Sequence, residues 1–402
     1  METRRIIENI ENAAQMIRAG GLVAVPTETV YGLAGNGLNE TAVREIYEVK
    51  GRPAVKPLSL MVPDESAMER YCEDIPPQAH ALAKRFWPGP LTIVLKAKAE
   101  IPSIVLAGGK TVGLRCPDHP LTLKLLESCG LPLAAPSANP SGEPSPKTAQ
   151  QVLDYFDGKI DAVIDGGPCG IGRESTLIDM SSTPYQILRE AALSEESIAQ
   201  ALAEDLTLIG ITGGSGCGKT TALRELEAFG ALVLDCDAIY HELLERDGAL
   251  LAELESAFPG TVRDGVLDRR ALGRIVFADP EKLALLNRIS HRFVKREADR
   301  RLRRFAVQGG RIAALDAVEL ISAGMSERCA ATVGILSDEN TRIERIMKRD
   351  GIGREAARAR IDAQKPDAYY QSHCTHILFN NADRERFASD CRRLFKEILN
   401  HG

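Results

Sequence analysis

Nine consecutive residues near the middle of the chain constrain its fold more than any other stretch: Gly213, Gly214, Ser215, Gly216, Cys217, Gly218, Lys219, Thr220 and Thr221. From Gly213 they fit the pattern G-x-x-x-x-G-K-[ST]; an apolar run, residues 206–211, precedes them and an amphipathic run, residues 222–229, follows. Glycines let successive backbone N–H groups close on a phosphate, the lysine reaches the outer phosphate oxygens, and the threonine hydroxyl is a Mg²⁺ ligand. A helix opening at Lys219 adds its positive end. The context predicts strand, loop and helix in that order. Residues from about 206 onward then read as an ATP-using phosphotransferase, with Gly213 to Thr221 holding ATP and Lys219 acting in catalysis.

Further apolar runs end at Asp235, Asp316, Leu336 and Asn380, with helical patterns between them. Together with residues 206–211 they predict five strands in a parallel, doubly wound sheet whose ligands gather at the carboxyl ends of the strands. Asp235 and Asp237 follow the second strand at that edge. Asp235 is assigned, with Thr220, to a Mg²⁺ shell, and Asp237 to taking the proton of an acceptor hydroxyl; a helix cap is the other reading of Asp237. Arg345 and Arg349 lie one helical turn apart and read either as a clamp on the transferring phosphoryl group, with Arg349 the candidate catalytic residue, or as solvated surface.

A chain of 402 residues exceeds one core, so the sequence divides at the run into two domains, 1–204 and 205–402. No apolar run approaches the length of a membrane span, and charge runs through residues 2–8 where a secretory signal needs an apolar core. The expectation is a cytoplasmic protein with no membrane partner. Nine cysteines without C-x-x-C spacing suggest neither a disulfide framework nor a zinc site, and His373 and His376 read as a loop and strand start. Residues 1–205 carry 19 Lys+Arg against 27 Asp+Glu, a balance of −8, so strong direct nucleic-acid binding is not expected of them.

In the first half, residues 5–19 read as an amphipathic helix with Ile6, Ile10, Ala13, Ala14 and Ile17 on one stripe, and residues 22–25 as a buried strand. A helix over 40–50 leads into Lys50, Arg52 and Lys56, three cations on a loop stiffened by Pro53 and Pro57 and suited to a triphosphate. The ordered segments 26–32, 50–59, 87–92, 113–117, 137–142 and 174–176 resemble the motifs of the YrdC family of threonylcarbamoyl-AMP synthases. The resemblance covers about residues 5–195. It implies a twisted α/β domain that turns L-threonine, bicarbonate and ATP into threonylcarbamoyl-AMP and pyrophosphate, the product passing to separate tRNA-modifying proteins. It also implies that Thr29, Arg115 and Ser175 contact threonine, while Lys50, Arg52, Lys56, Ser137, Asn139, Ser145 and Arg189 hold the nucleotide. The family's Arg-x-Gly stands here as Arg189, Glu190 and Ala191. Trp87 reads equally as a core plug or a site wall.

The second half, over about 206–400, resembles dephospho-CoA kinase through residues 210–221, the D-x-D pair, and segments 267–277, 286–291 and 360–364. The resemblance implies ATP-dependent phosphorylation of the ribose 3′-hydroxyl of dephospho-CoA, a helical insert near 240–305 that receives the acceptor, and a lid near 342–364. Two departures stand out: Arg292 where the family has proline, and Ser322 where it has an acid. The rival readings are an inert scaffold in one half, an RNA-binding module in the first half, or another phosphate-loop enzyme in the second.

Overall fold

The structure, a computed structural model, describes residues 2–381 and 383–401, in two compact units: Met1–Glu204 with Val307–Gly309, and Asp205–Ala306 with Gly310–Gly402.

The first unit is organised by an eleven-stranded mixed sheet. Its strands are short because turn residues interrupt almost every apolar run. The path runs Arg4–Ile6, Ala162–Ile164, Val23–Val25, Gly32–Asn36, Leu133–Ala134, Ser59–Met61, Thr111–Arg115, Leu91–Ala97, Thr176–Asp179 and Gln186–Arg189, with Cys72–Glu73 paired to Leu91–Ala97. The single helix expected over 5–19 is instead a strand followed by a helix. Arg4–Ile6 pairs in parallel with Ala162–Ile164, and Asn9 breaks the backbone by accepting the Asn12 N–H at 3.2 Å, so the helix runs Ile10–Arg18. The apolar stripe is unaffected: Ile6, Ile10, Ala13, Ala14 and Ile17 all enter one core with Val23, Val25 and Leu125. The helix Glu40–Lys50 ends because Gly51 takes a left-handed conformation, φ 57°. That stop delivers Lys50 and Arg52 to the sheet edge.

The second unit carries a five-stranded sheet in the order Leu232–Asp235, Ile312–Asp316, Thr207–Thr212, Ala331–Leu336, His376–Phe379, parallel throughout. The first strand in sequence lies in the middle, so successive strands are added first on one side of it and then on the other, and a parallel sheet of this kind gathers ligands at the carboxyl ends of its strands. Helices Lys219–Ala228 and Arg384–His401 pack together on one face, where Leu226, Phe387 and Phe395 are buried against Ile209 and Val333. Between the second and third strands the chain inserts helices Cys236–Arg246, Gly248–Ala257, Arg269–Val276 and Pro280–Val307, with a small hairpin, Val262–Arg263 and Val266–Leu267, that the sequence pattern did not announce. Helices Glu339–Asp350 and Arg354–Asp362 cover most of the segment expected to be a lid. No helix among the described residues is long and apolar enough to cross a membrane.

Candidate functional sites

In the first unit a cleft of about 140 Å³ opens at the edge where the 50–59 loop meets the strand ends; Arg52, Arg115, Ser137, Ser175 and Arg189 line it together with Tyr31, Thr92 and Glu174. Arg115 ends a buried strand, and an unpaired guanidinium there would be costly. It donates to Glu28 Oε1 at 2.7 Å and Thr29 Oγ1 at 2.8 Å, and its Nε to Gly89 O at 3.2 Å. This pair is 8% and 13% exposed, so Arg115 is oriented before any ligand arrives. Opposite, Arg189 donates to Ser175 O at 3.0 Å and Ser175 Oγ at 3.3 Å, and Ser175 Oγ lies 2.8 Å from Thr92 Oγ1. Burial holds Arg189 below the ordinary arginine range; Glu174 opposes this, while Arg115 and Arg52 add to it. Three guanidiniums lining one cleft, Arg52, Arg115 and Arg189, suit an anion.

Lys50 is 3% exposed and donates to the carbonyls of Ser137 and Asn139. Burial, with Arg52 adding, brings its ammonium down from 10.5 to about 7. Arg52 is braced by the Lys56 and Pro57 carbonyls at 3.2 and 2.8 Å. Ser145 Oγ donates to Glu174 Oε1 at 2.7 Å. Asn139 Nδ2 donates to the carbonyls of Pro140 and Glu143, and its buried Oδ1 has no hydrogen-bond partner among the described residues. Thr29, Lys50, Asn139 and Ser145 therefore stand one hydrogen bond behind the lining, whereas Lys56 is exposed and outside it. Trp87 also lies outside the lining, its Nε1 donating to Leu91 O at 2.7 Å. Glu28 and Glu174 were missed as site residues; a buried strand-end arginine is the signal that a carboxylate must face it.

In the second unit the phosphate loop occupies residues 213–218 between strand Thr207–Thr212 and helix Lys219–Ala228. Only glycine fits two of its corners. At Gly213 (φ 141°) an added Cβ would lie 2.4 Å from Ile335 O, and at Gly218 (φ 104°) 2.0 Å from Asn380 Nδ2. Lys219 Nζ donates to Gly213 O at 3.0 Å, and Thr220 is exposed.

Three carboxylates share the neighbouring edge. Asp235 and Asp316 are directly opposed in the parallel register. Asp235, rather than Asp237, is the helix cap, its Oδ1 accepting the Ala238 N–H at 2.9 Å. Asp237 lies in the first turn and titrates above the usual range through burial and Asp235, with Lys219 and His241 opposing. Burial pushes Asp316 up to about 6; Lys219 opposes this, and Asp235 and Asp237 add to it. Its buried Oδ1 has no hydrogen-bond partner among the described residues. Sequence reading used Asp316 only as a strand end and missed it here.

The lid arginines divide. Arg342, 6% exposed, donates from Nε to Ser215 O at 3.0 Å, and Arg345 from Nη1 to Gly216 O at 3.2 Å. Arg349 does not meet the loop: it is exposed and pairs with Asp350 at 2.7 Å. The long insert helix satisfies much of its charge locally, through Arg292 with Glu253, Arg296 with Asp247, and Arg301 with Glu242 and Glu297. Glu297 is held down at about 2 by Arg300 and Arg301. Ser322 Oγ donates to Glu319. No group of three or more His, Cys, Asp or Glu side chains among the described residues is arranged to hold a metal by itself.

A cation-lined cleft on a mixed sheet and a phosphate loop on a parallel one define a two-unit α/β protein of the nucleotide-using class. The chain belongs to the Sua5/YciO/YrdC family, whose model, described as telomere recombination, matches residues 15–191, and the dephospho-CoA kinase model, CoaE, matches residues 207–385. Over 195 residues it is 49% identical to threonylcarbamoyl-AMP synthase of Pyrococcus abyssi (strain GE5 / Orsay), covering 48% of this chain and 57% of that protein. Over 176 residues it is 34% identical to threonylcarbamoyl-AMP synthase of Halorhodospira halophila, covering 44% of this chain and 92% of that one. The structure of P. abyssi Sua5 complexed with L-threonine aligns at TM-score 0.49 and 30% identity, over 82% of this chain and 96% of that one. In the sequence match the chain spans 57% of the length of the P. abyssi synthase.

Proposed function

We propose that the protein carries two ATP-dependent activities. The first unit joins L-threonine, bicarbonate and ATP into threonylcarbamoyl-AMP and pyrophosphate; the second phosphorylates the 3′-hydroxyl of dephospho-CoA. The convergence of Arg52, Arg115 and Arg189 on one cleft carries the first reading. In that reading Lys50, Arg52 and Arg189 neutralise the triphosphate, with Ser137, Asn139 and Ser145 fixing the walls of its site. Thr29, Arg115 and Ser175 hold threonine with its carbamate oxygen in line with the α-phosphorus. The O–Pα bond forms as the bond to the pyrophosphate oxygen breaks, and the work of the site is placement and charge neutralisation. The product passes to separate tRNA-modifying proteins.

Asp237 and Asp316 beside Lys219 carry the second reading. Asp237, raised above its ordinary value by burial and by Asp235, takes the proton of the acceptor hydroxyl. Lys219 and the loop amides hold the donor phosphates, and Arg345 lies closer to them in role than Arg349 does. The oxygen donors fit Mg²⁺, which is held by one or two carboxylates with substrate phosphates: Thr220, Asp235 and Asp316 would hold it, the unpartnered Asp316 Oδ1 being the group most in need of a cation. Bound there, Mg²⁺ would neutralise phosphate charge.

Pyrophosphate release by the intact chain is expected to require ATP, threonine and bicarbonate together, and phosphate transfer to require dephospho-CoA. Release that continues without threonine would be plain ATP hydrolysis and would remove the synthase reading.

A further inference from the structure

The phosphate loop already holds an occupant. Ser215 N–H donates to Gln364 Oε1 at 2.9 Å, and Gln364 Nε2 donates to Ser215 Oγ at 3.0 Å. Arg342 Nη2 donates to the same Oε1 at 2.9 Å. With two N–H donors converging on one atom, that atom is the amide oxygen rather than the nitrogen. Arg342 itself is a buried cation whose close partners are neutral, Ser215 O and Gln364 Oε1; its nearest carboxylate oxygen, on half-exposed Asp367, lies 3.8 Å away. Among the described residues, a desolvated guanidinium with no carboxylate closer than 3.8 Å, beside a backbone N–H that donates to a neutral amide oxygen, makes a notch that a charged phosphate oxygen fills better than an amide oxygen. Gly214 permits this approach, since a Cβ there would lie 2.2 Å from Arg342 Nη2.

We propose that Gln364 is a specificity residue: its carboxamide fills the outer end of the phosphate loop until the terminal phosphate of a nucleoside triphosphate displaces it. The lid segment then registers whether the loop holds a triphosphate or a diphosphate. The proposal rests on residues 213–221 being a nucleotide phosphate site. A diphosphate seated on the helix amides leaves the Ser215 notch to Gln364; a triphosphate must expel it. A plug seated nine-tenths of the time weakens the apparent affinity of the displacing ligand about tenfold and leaves the other untouched.

The test uses the intact chain and needs no turnover. Dissociation constants for ADP and for the β,γ-imido analogue of ATP, each with Mg²⁺, are read from deuterium uptake of the segment 213–221, which separates this site from the first unit's. Gln364→Ala is expected to tighten the analogue about three- to tenfold and to leave ADP within twofold. Gln364→Glu, whose carboxylate pairs with Arg342, is expected to weaken the analogue at least about tenfold with a smaller effect on ADP. Equal changes for both nucleotides, or a weaker analogue in Gln364→Ala, would overturn the plug and leave the phosphate site standing. If neither nucleotide protects 213–221 in the parent, both readings fall.

Discussion

Lys50 gives the first unit's cleft a proton signature. Its ammonium is buried beside the Arg52 guanidinium, and it titrates at about 7 instead of 10.5 despite the two carbonyls it donates to. In the free protein about half of the molecules at pH 7, and about nine-tenths at pH 8, then hold Lys50 neutral. A triphosphate laid against Arg52 and Ser137, one hydrogen bond in front of Lys50, favours the ammonium. Binding should therefore take up about 0.5 proton at pH 7 and about 0.9 at pH 8. Calorimetric titration of Mg–ATP in two buffers of different ionisation enthalpy counts these protons. Lys50→Met supplies the baseline, because the second unit's phosphate site is common to both proteins. Proton uptake at pH 8 that differs by less than about 0.2 between parent and variant would refute the reasoning. Stability carries the same sign. Between pH 7 and 10.5 the unfolded chain binds more protons than the folded one, so the first unit should gain stability as pH rises through that window, and Lys50→Met should lose that slope.

Three further outcomes follow from the second unit. Arg345→Ala should cut phosphate transfer at least about tenfold while Arg349→Ala stays within about twofold, since of these two Arg345 touches the loop and Arg349 does not; equal losses in a rate assay would restore Arg349. Asp237→Asn should lower the transfer rate by about 10²–10⁴ with ATP affinity nearly unchanged, and in the parent the rate should fall as pH drops through a value above 3.8; a rate within threefold would move the base to Asp316. Asp316→Asn should weaken Mg²⁺-dependent turnover yet raise the second unit's melting temperature at pH 7.5. Its folded value of about 6 lies above 3.8, so stability falls as pH rises between them and Asn recovers about 1–3 kcal/mol of it; an unchanged or lower melting temperature by calorimetry would contradict the burial argument.

The parts legible in the sequence were those fixed by local chemistry. The run around Gly213 to Thr221 announced strand, loop and helix because only glycine tolerates its corners, and the five-strand sheet followed from apolar runs separated by helical periods. Ile6 kept its buried face while changing from helix to strand: a stripe of apolar residues reports burial, whereas pairing with Ala162–Ile164 is set about 160 residues away in sequence. Asp235 and Asp237 were placed at the correct edge, but their division into cap and first-turn residue depended on where the helix starts. Arg342 was hidden by its neighbours, since Arg345 and Arg349 share its helix and spacing alone does not tell which turn meets the loop. Glu174, Asp316 and Gln364 stood in motifs or at a strand end, but their partners, like those of Glu28, are distant in sequence and only folding brings them together.

The central claim is two phosphate-handling sites with separate chemistries on one chain, and reciprocal inactivation tests it most directly. Lys219→Ala and Arg52→Ala are each assayed as intact chains for threonine-dependent pyrophosphate release and for 3′-phosphorylation of dephospho-CoA. The account predicts that Lys219→Ala loses phosphorylation and keeps pyrophosphate release within about twofold, and that Arg52→Ala does the reverse, as for sites that do not couple. Loss of both activities from either single change would contradict it.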